Sequence, residues 1–189
     1  MRVVVVGGGR VGLRTAELLV DRGHDALIVE RDPARCEELS DAYVATVVEG
    51  DGTDPSVLRQ TSLDRADVVL ALTSSTGTNL TVCLLADRLA NEPVRTVMRV
   101  VDDDDETYEP FVDVTIDPGR AGARMAANTV EAEVRALEEV TGTVEIIEIT
   151  VSESAPVATR SLADVSFPRG ALVVSDAFSG TIAGPETEL

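Results

Sequence analysis

Hydrophobic and polar positions along the first 117 residues follow two alternating rhythms. Residues 2–6 (RVVVV), 25–30 (DALIVE), 44–48 (VATVV), 67–72 (DVVLAL), 95–99 (RTVMR) and 112–117 (VDVTID) are short runs rich in β-branched side chains, the composition of strands. Between them, residues 10–22, 33–41, 54–61 and 77–90 place apolar side chains at helical spacing, as in Leu80, Cys83, Leu84 and Ala86 to Leu89. Runs that are apolar on both faces and joined by helices predict a parallel sheet covered on both sides. The expected fold class is therefore α/β, a doubly wound Rossmann-like sheet.

Helix starts carry their own marks. Asp32-Pro33 and Asp54-Pro55 each set a capping carboxylate before a proline at the first helical position. Asp117-Pro118 repeats the device ahead of a stretch with helical character, which predicts a long helix over roughly residues 119–139. Thr141-Gly142 breaks that pattern, and the chain turns to β character in VEIIEITV, LVVS and GTIAG. The pattern predicts a domain over residues 1–140 and a small α+β lobe over 141–189, too short for an independent core and expected to need a partner subunit.

Composition narrows the function classes. A chain of 189 residues, 44% hydrophobic, can bury a full core and most simply holds one domain, or one plus a small appendage, and with 3% aromatics and no Trp that core is built from Val, Ala and Leu. Acidic residues number 34 against 16 basic, a net charge of -18; nucleic acid and anionic membrane surfaces, which need a basic face, are excluded as partners. Every basic residue is Arg. A Walker-type phosphate loop, a Schiff-base lysine and a Tyr/Lys proton relay all require lysine and are excluded with it. Such self-repulsion is screened at molar salt, so the charge points either to a salt-rich, halophilic cytoplasm or simply to an acidic soluble protein. Cys36 and Cys83 lie far apart with no CxxC pair, which suggests free thiols in a reducing, cytoplasmic setting. No secretory h-region is evident and no stretch approaches a membrane span, so direct membrane insertion is not expected.

The candidate chemistry gathers at the ends of the predicted strands. Gly7, Gly9 and Gly12 form G-x-G-x-x-G where the first strand turns into the first helix. In that setting the three glycines serve a tight turn, close approach of backbone to a pyrophosphate, and close helix–strand packing. The helix N-terminus adds unpaired N–H groups and partial positive charge. Glu30, at the end of the second strand, is the acid expected about twenty residues on, which accepts hydrogen bonds from ribose hydroxyls. It favours NAD(H) or an adenine nucleotide over NADP(H), a preference that the adjacent Arg31 blunts. Asp51, in Gly50-Asp51-Gly52-Thr53, sits where it either accepts from an adenine amine or binds its own loop N–H groups. Thr73-Ser74-Ser75 either faces the same crevice or caps the next helix. The acidic run at residues 102–106 (DDDDE) reads as a solvated helix start or, less simply, a cation site.

These pieces together resemble the RCK family, regulators of potassium conductance that include TrkA-type subunits. The likeness rests on GGGRVG at 7–12, IVERDPARCEEL at 28–39, GDGTDPSVL at 50–58, ADVVLALTSSTGTNLTVCLLA at 66–86 and Arg99 in VMRVVDD. The C-terminal stretch from SESAPV onward is similar to the family's ligand-sensing lobe, in a shortened form without the closing "GD" strand.

The resemblance implies a binding subunit without catalysis. It implies a cofactor, NAD(H) or alternatively ATP or ADP, and assembly into homo-dimers and larger rings. It also implies a membrane potassium transporter or channel subunit as partner, and a cytoplasmic location with attachment at the membrane through that partner. Carried over, the nucleotide contacts are Gly7, Gly9, Arg10, Val11, Gly12, Glu30, Arg31, Asp51 and Thr73. Arg99 reaches phosphates or a neighbouring subunit, and Asn79 takes a structural role or touches the edge of the site.

Two other classes share the fold. A nicotinamide-dependent oxidoreductase needs an acid or base beside its substrate. His24 falls in a turn at the opposite end of the sheet, and Tyr43 and Tyr108 have no lysine companion. A ligand-free dimerisation module is the third class. For a switch, the long helix from Gly119, with Met125, Val130, Val134 and Leu137, is either a lever on a partner subunit or a cover for the sheet.

Overall fold

This computed structural model describes residues 1–101, 106–130, 134–139, 145–149, 151–152, 154–167, 171, 173, 175–176 and 181–182. Two compact units divide the chain, Met1–Ala121 and Gly122–Leu189.

In the first unit six strands, β1 (Arg2–Val6), β2 (Asp25–Glu30), β3 (Thr46–Glu49), β4 (Val68–Ala71), β5 (Arg95–Arg99) and β6 (Val114–Ile116), pair in parallel in the order β3-β2-β1-β4-β5-β6. The connecting helices are α1 (Arg10–Asp21), α2 (Pro33–Asp41), α3 (Pro55–Gln60) and α4 (Thr76–Leu89); α5 (Pro118–Val130) follows β6. Strand and helix bounds in this unit lie within two residues of those read from the pattern, and the doubly wound class holds.

The valine run of β1 shows why. Val3 and Val5 pack with Ala16 of α1 and Leu39 of α2, while Val4 and Val6 pack with Leu58, Val82 and Ala86 on the other face. All four are buried, and each stabilises the fold by about 1.5–3 kcal/mol. A strand with water on one face would alternate; this one cannot. The aspartates before the prolines cap as expected. Asp32 Oδ1 accepts from the Ala34 and Arg35 N–H groups, Asp54 Oδ1 from Ser56, and Asp117 Oδ1 from Gly119 and Arg120.

The long helix is corrected. α5 stops at Val130, and residues expected in its second half form β7 (Val134–Glu139), paired antiparallel with β8 (Glu145–Ile149). Val134 and Leu137 therefore belong to a strand and share no helix face with Met125 and Val130. Glu, Ala and Leu are good helix formers, but here a ladder with the apolar EIIEI segment overrides local propensity. The boundary expected near residue 140 falls inside the second unit, between these two strands. Two further short strands, β9 (Ser175–Asp176) and β10 (Thr181–Ile182), pair antiparallel. Most of the acidic run at residues 102–106 lies outside the described residues.

Candidate functional site

Strand order reverses between β1 and β4, so the crevice lies outside the carboxyl ends of those two strands. The glycine loop forms one wall. Gly7 continues the β1–β2 ladder by donating to the Val29 carbonyl at 2.8 Å and then turns with φ +104°, a left-handed value that favours glycine. A Cβ there would stand 3.0 Å from the Thr73 nitrogen, so the loop presses against the end of β4. At Gly12 a Cβ would collide with the Gly7 carbonyl oxygen, the close helix–strand approach the motif requires.

Gly9 differs from both. It is exposed, it is the N-cap of α1 with φ -65° and ψ -174°, and a Cβ built on it meets nothing within 4 Å. Alanine would fit the protein there. The missing side chain matters only to something that approaches from outside, and no side chain caps the helix beneath it. This is the geometry in which backbone N–H groups receive an anion. Arg10 is exposed on the first turn, and Val11 packs its side chain into the core beside Ala16, leaving its backbone for the loop.

Glu30 has a task that its sequence position did not reveal. Its Oε2 accepts from the Gly8 N–H at 2.7 Å, and its Oε1 from the N–H groups of Arg31 at 2.8 Å and Asp32 at 2.9 Å. A carboxylate offers about four acceptor positions, so the three bonds leave room for one sugar hydroxyl. Gly8 itself is fixed on every side. Its N–H goes to Glu30, its carbonyl accepts from Arg35 Nε at 2.8 Å, and a Cβ would strike Leu39. Arg35 and Leu39 are four apart on α2; helical spacing put them on one face, but nothing local linked that face to the glycines.

The other residues settle as follows. Asp51 Oδ1 accepts from the Thr53 N–H and hydroxyl, both at 2.8 Å, closing its own turn. These two bonds, the backbone one first, hold its carboxyl below the ordinary aspartate value, with the nearby Arg31 adding to the effect. The local turn, one of the two roles open for Asp51, is present. Ser75 caps α4 by accepting from the Thr78 N–H. Asn79, fully buried, accepts from the Thr73 N–H at 2.9 Å and its hydroxyl at 2.6 Å, and donates to the Thr73 and Arg99 carbonyls at 3.2 and 2.8 Å. It ties the ends of β4 and β5 together, a structural role. Arg99 is half-buried at the end of β5, and its buried Nε finds no hydrogen-bond partner among the described residues. Such an orphan donor beside the crevice fits an anionic ligand.

The structure brings Gly7, Gly9, Arg10, Val11, Gly12, Glu30, Arg31, Asp51, Thr73 and Arg99 to the carboxyl end of one sheet, on strand ends, the loops after them and the first turn of α1. His24 precedes β2 at the opposite end, its N–H bonded to the Leu19 carbonyl, and Tyr43 there is 92% exposed. Both cysteines are buried and free, and burial pushes the Cys83 thiol up to about 12.

Sheet order, glycine loop and terminal acid define a Rossmann-type fold. Residues 3–116 match the model of the TrkA-N domain, and the chain belongs to that family. It is 31% identical to the Trk system potassium uptake protein TrkA homolog of Methanothermobacter thermautotrophicus, covering 100% of this chain and 88% of that one. To the Trk system potassium uptake protein TrkA homolog of Pyrococcus abyssi it is 29% identical, covering 93% and 80%. Among solved structures, the TrkA-N domain of the inner membrane protein ybaL from Escherichia coli superposes with a TM-score of 0.61 at 20% identity, over 69% of this chain and 96% of that one. The GsuK channel bound to NAD gives 0.64 at 19% identity, over 86% and 30%. These two likenesses concern the fold. No helix among the described residues is long and apolar enough to cross a membrane.

Proposed function

We propose that this chain is a regulatory subunit of a membrane potassium uptake system, and that its crevice binds NAD(H) or, alternatively, ATP or ADP. The first half rests on family membership and on relatives that carry a potassium uptake name over most of their length. The second rests on Gly9, a glycine that the protein's own packing does not require, set above an uncapped helix N-terminus with Glu30 beside it. Diphosphate oxygens accept from the first-turn N–H groups of α1, one ribose hydroxyl donates to Glu30, and Arg10, Arg31 and Arg99 supply positive charge to the phosphates. The ligand does no chemistry. It stabilises one arrangement of a homo-oligomeric assembly over another, and only its difference in affinity between the two moves the transporter partner. The chain works at the cytoplasmic face of the membrane through that partner.

A thermal-shift panel of NAD+, NADH, NADP+, ATP and ADP in high KCl tests this. A ligand at about a hundred times its Kd stabilises by about 2.7 kcal/mol, or about 5–11 °C in a chain of this size. Gly9→Ala is expected to melt within about 2 °C of the parent, since its dihedrals suit alanine and its Cβ meets nothing, and to lose the ligand response. Indifference of the parent to all five nucleotides would overturn the reading.

A further inference from the structure

The described surface of the first unit holds an arginine whose placement the nucleotide reading does not use. Arg35, in the first turn of α2, reaches out of its own helix and donates from Nε to the Gly8 carbonyl at 2.8 Å, 27 positions away in sequence. Its Nη1 donates to Glu38 Oε2 at 2.6 Å, one turn along. The guanidinium is thus spread between two acceptors in a fixed fork.

From this geometry we infer that Arg35 is a positioning residue for the glycine loop: by holding the Gly8 carbonyl against α2, it aims the Gly9 N–H into the crevice. The Gly8 carbonyl and the Gly9 N–H belong to one peptide unit. In a planar trans unit they point in opposite directions, so whatever fixes the first fixes the second. The Glu30 bond to the Gly8 N–H and the Leu39 side chain hold the preceding peptide and the Cα. Among the described residues the carbonyl accepts no other hydrogen bond, so without Arg35 the 8–9 peptide loses the bond that fixes its orientation. Gly9 makes rotation of that peptide easy, having no side chain of its own to pack.

Arg35 acts by geometry, not by charge on the ligand. Its charge is neutralised at 2.6 Å by Glu38, so the field it sends toward a phosphate is small. Lysine would not serve, because a single ammonium lacks two donors held at a fixed angle. The inference rests on the nucleotide reading of the crevice for its purpose, but the loop geometry is testable without any ligand.

The test uses the full chain as parent, Arg35→Ala, Arg35→Lys and Glu38→Gln, with ADP and NADH as probes in calorimetry. Amide hydrogen exchange at Gly8 and Gly9 is followed in the ligand-free proteins. Arg35→Ala and Arg35→Lys are each expected to bind on the order of tenfold more weakly, about 1.4 kcal/mol, with changed exchange at Gly9, whose N–H belongs to the peptide that Arg35 holds, and a melting temperature close to the parent's. Glu38→Gln is expected to gain no affinity; a gain would mean that Arg35 works by charge and would overturn the inference. So would parent-like affinity in Arg35→Lys, or unchanged exchange in Arg35→Ala. If the parent binds neither probe, the nucleotide reading fails instead, and the exchange comparison alone decides whether Arg35 sets the loop.

Discussion

Asn79 offers the sharpest test of how the crevice is built. Its amide makes four hydrogen bonds with no exposure to water: two accepted from Thr73, one donated to the Thr73 carbonyl and one to the Arg99 carbonyl. Asn79→Ala removes all four. At about 0.5–1.5 kcal/mol net for each bond, and with the Thr73 hydroxyl able to turn to another acceptor, the expected loss is about 3 kcal/mol. For a chain of this size that is about 6–12 °C in melting temperature. Asn79→Asp separates the donors from the acceptor. It keeps an oxygen for Thr73 but sets a carboxylate against two carbonyl oxygens, which favours its protonated form and raises its pKa above the unfolded value. Between those two pKa values the folded state binds more protons than the unfolded, so the variant's stability falls as pH rises and recovers toward the acid side. Urea midpoints at several pH values measure both. The reasoning fails if Asn79→Ala lies within about 1 kcal/mol of the parent, or if the deficit of Asn79→Asp does not shrink as pH falls.

Three further outcomes follow from the same structure and its charge. Gly12→Ala drives a Cβ into the Gly7 carbonyl oxygen; because the obstacle is backbone, overpacking of about 1–3 kcal/mol outweighs the helix gain of about 0.5–1 kcal/mol, and chemical denaturation should show a net loss of about 1 kcal/mol. Asp113 accepts from the Thr96 N–H and hydroxyl at 2.7 and 2.9 Å, and these bonds hold its carboxyl below the ordinary aspartate value. A depressed folded value contributes stability above the unfolded pKa that is lost as pH falls through the folded one, so Asp113→Asn should soften acid unfolding below about pH 4 in a urea series. A net charge of -18 repels itself over a screening length that shrinks from about 10 Å at 0.1 M to about 3 Å at 1 M salt; melting temperature should rise with KCl across that range, and a flat profile would remove the case for a salt-adapted protein.

The fold was legible wherever burial on both faces left one reading. β1 is the clearest instance: valines at consecutive positions suit a strand between two helical layers, and both layers are present. Caps were legible for the same local reason, since Asp32, Asp54 and Asp117 need only the N–H groups of the next turn. The stretch after Val130 was not. Its residues satisfy a helical pattern, and only a partner strand elsewhere in the chain decides between the two structures.

The site divides along the same line. Glycine spacing and the acid at the end of β2 are visible in sequence because the motif places them at fixed offsets. What holds the loop in shape is invisible there, since Glu30, Arg35 and Leu39 reach Gly8 only after β2 and α2 have packed beside β1. This bears on how the crevice must be probed. Three of the acceptor positions of Glu30 are occupied by backbone N–H groups before a sugar arrives, so its removal releases the loop as well as a ligand contact. Lost binding in Glu30→Ala cannot by itself be charged to the ribose. Gly9→Ala leaves every one of those bonds in place and adds only a methyl group on the open side, which makes it the cleaner measure of whether a nucleotide lies there.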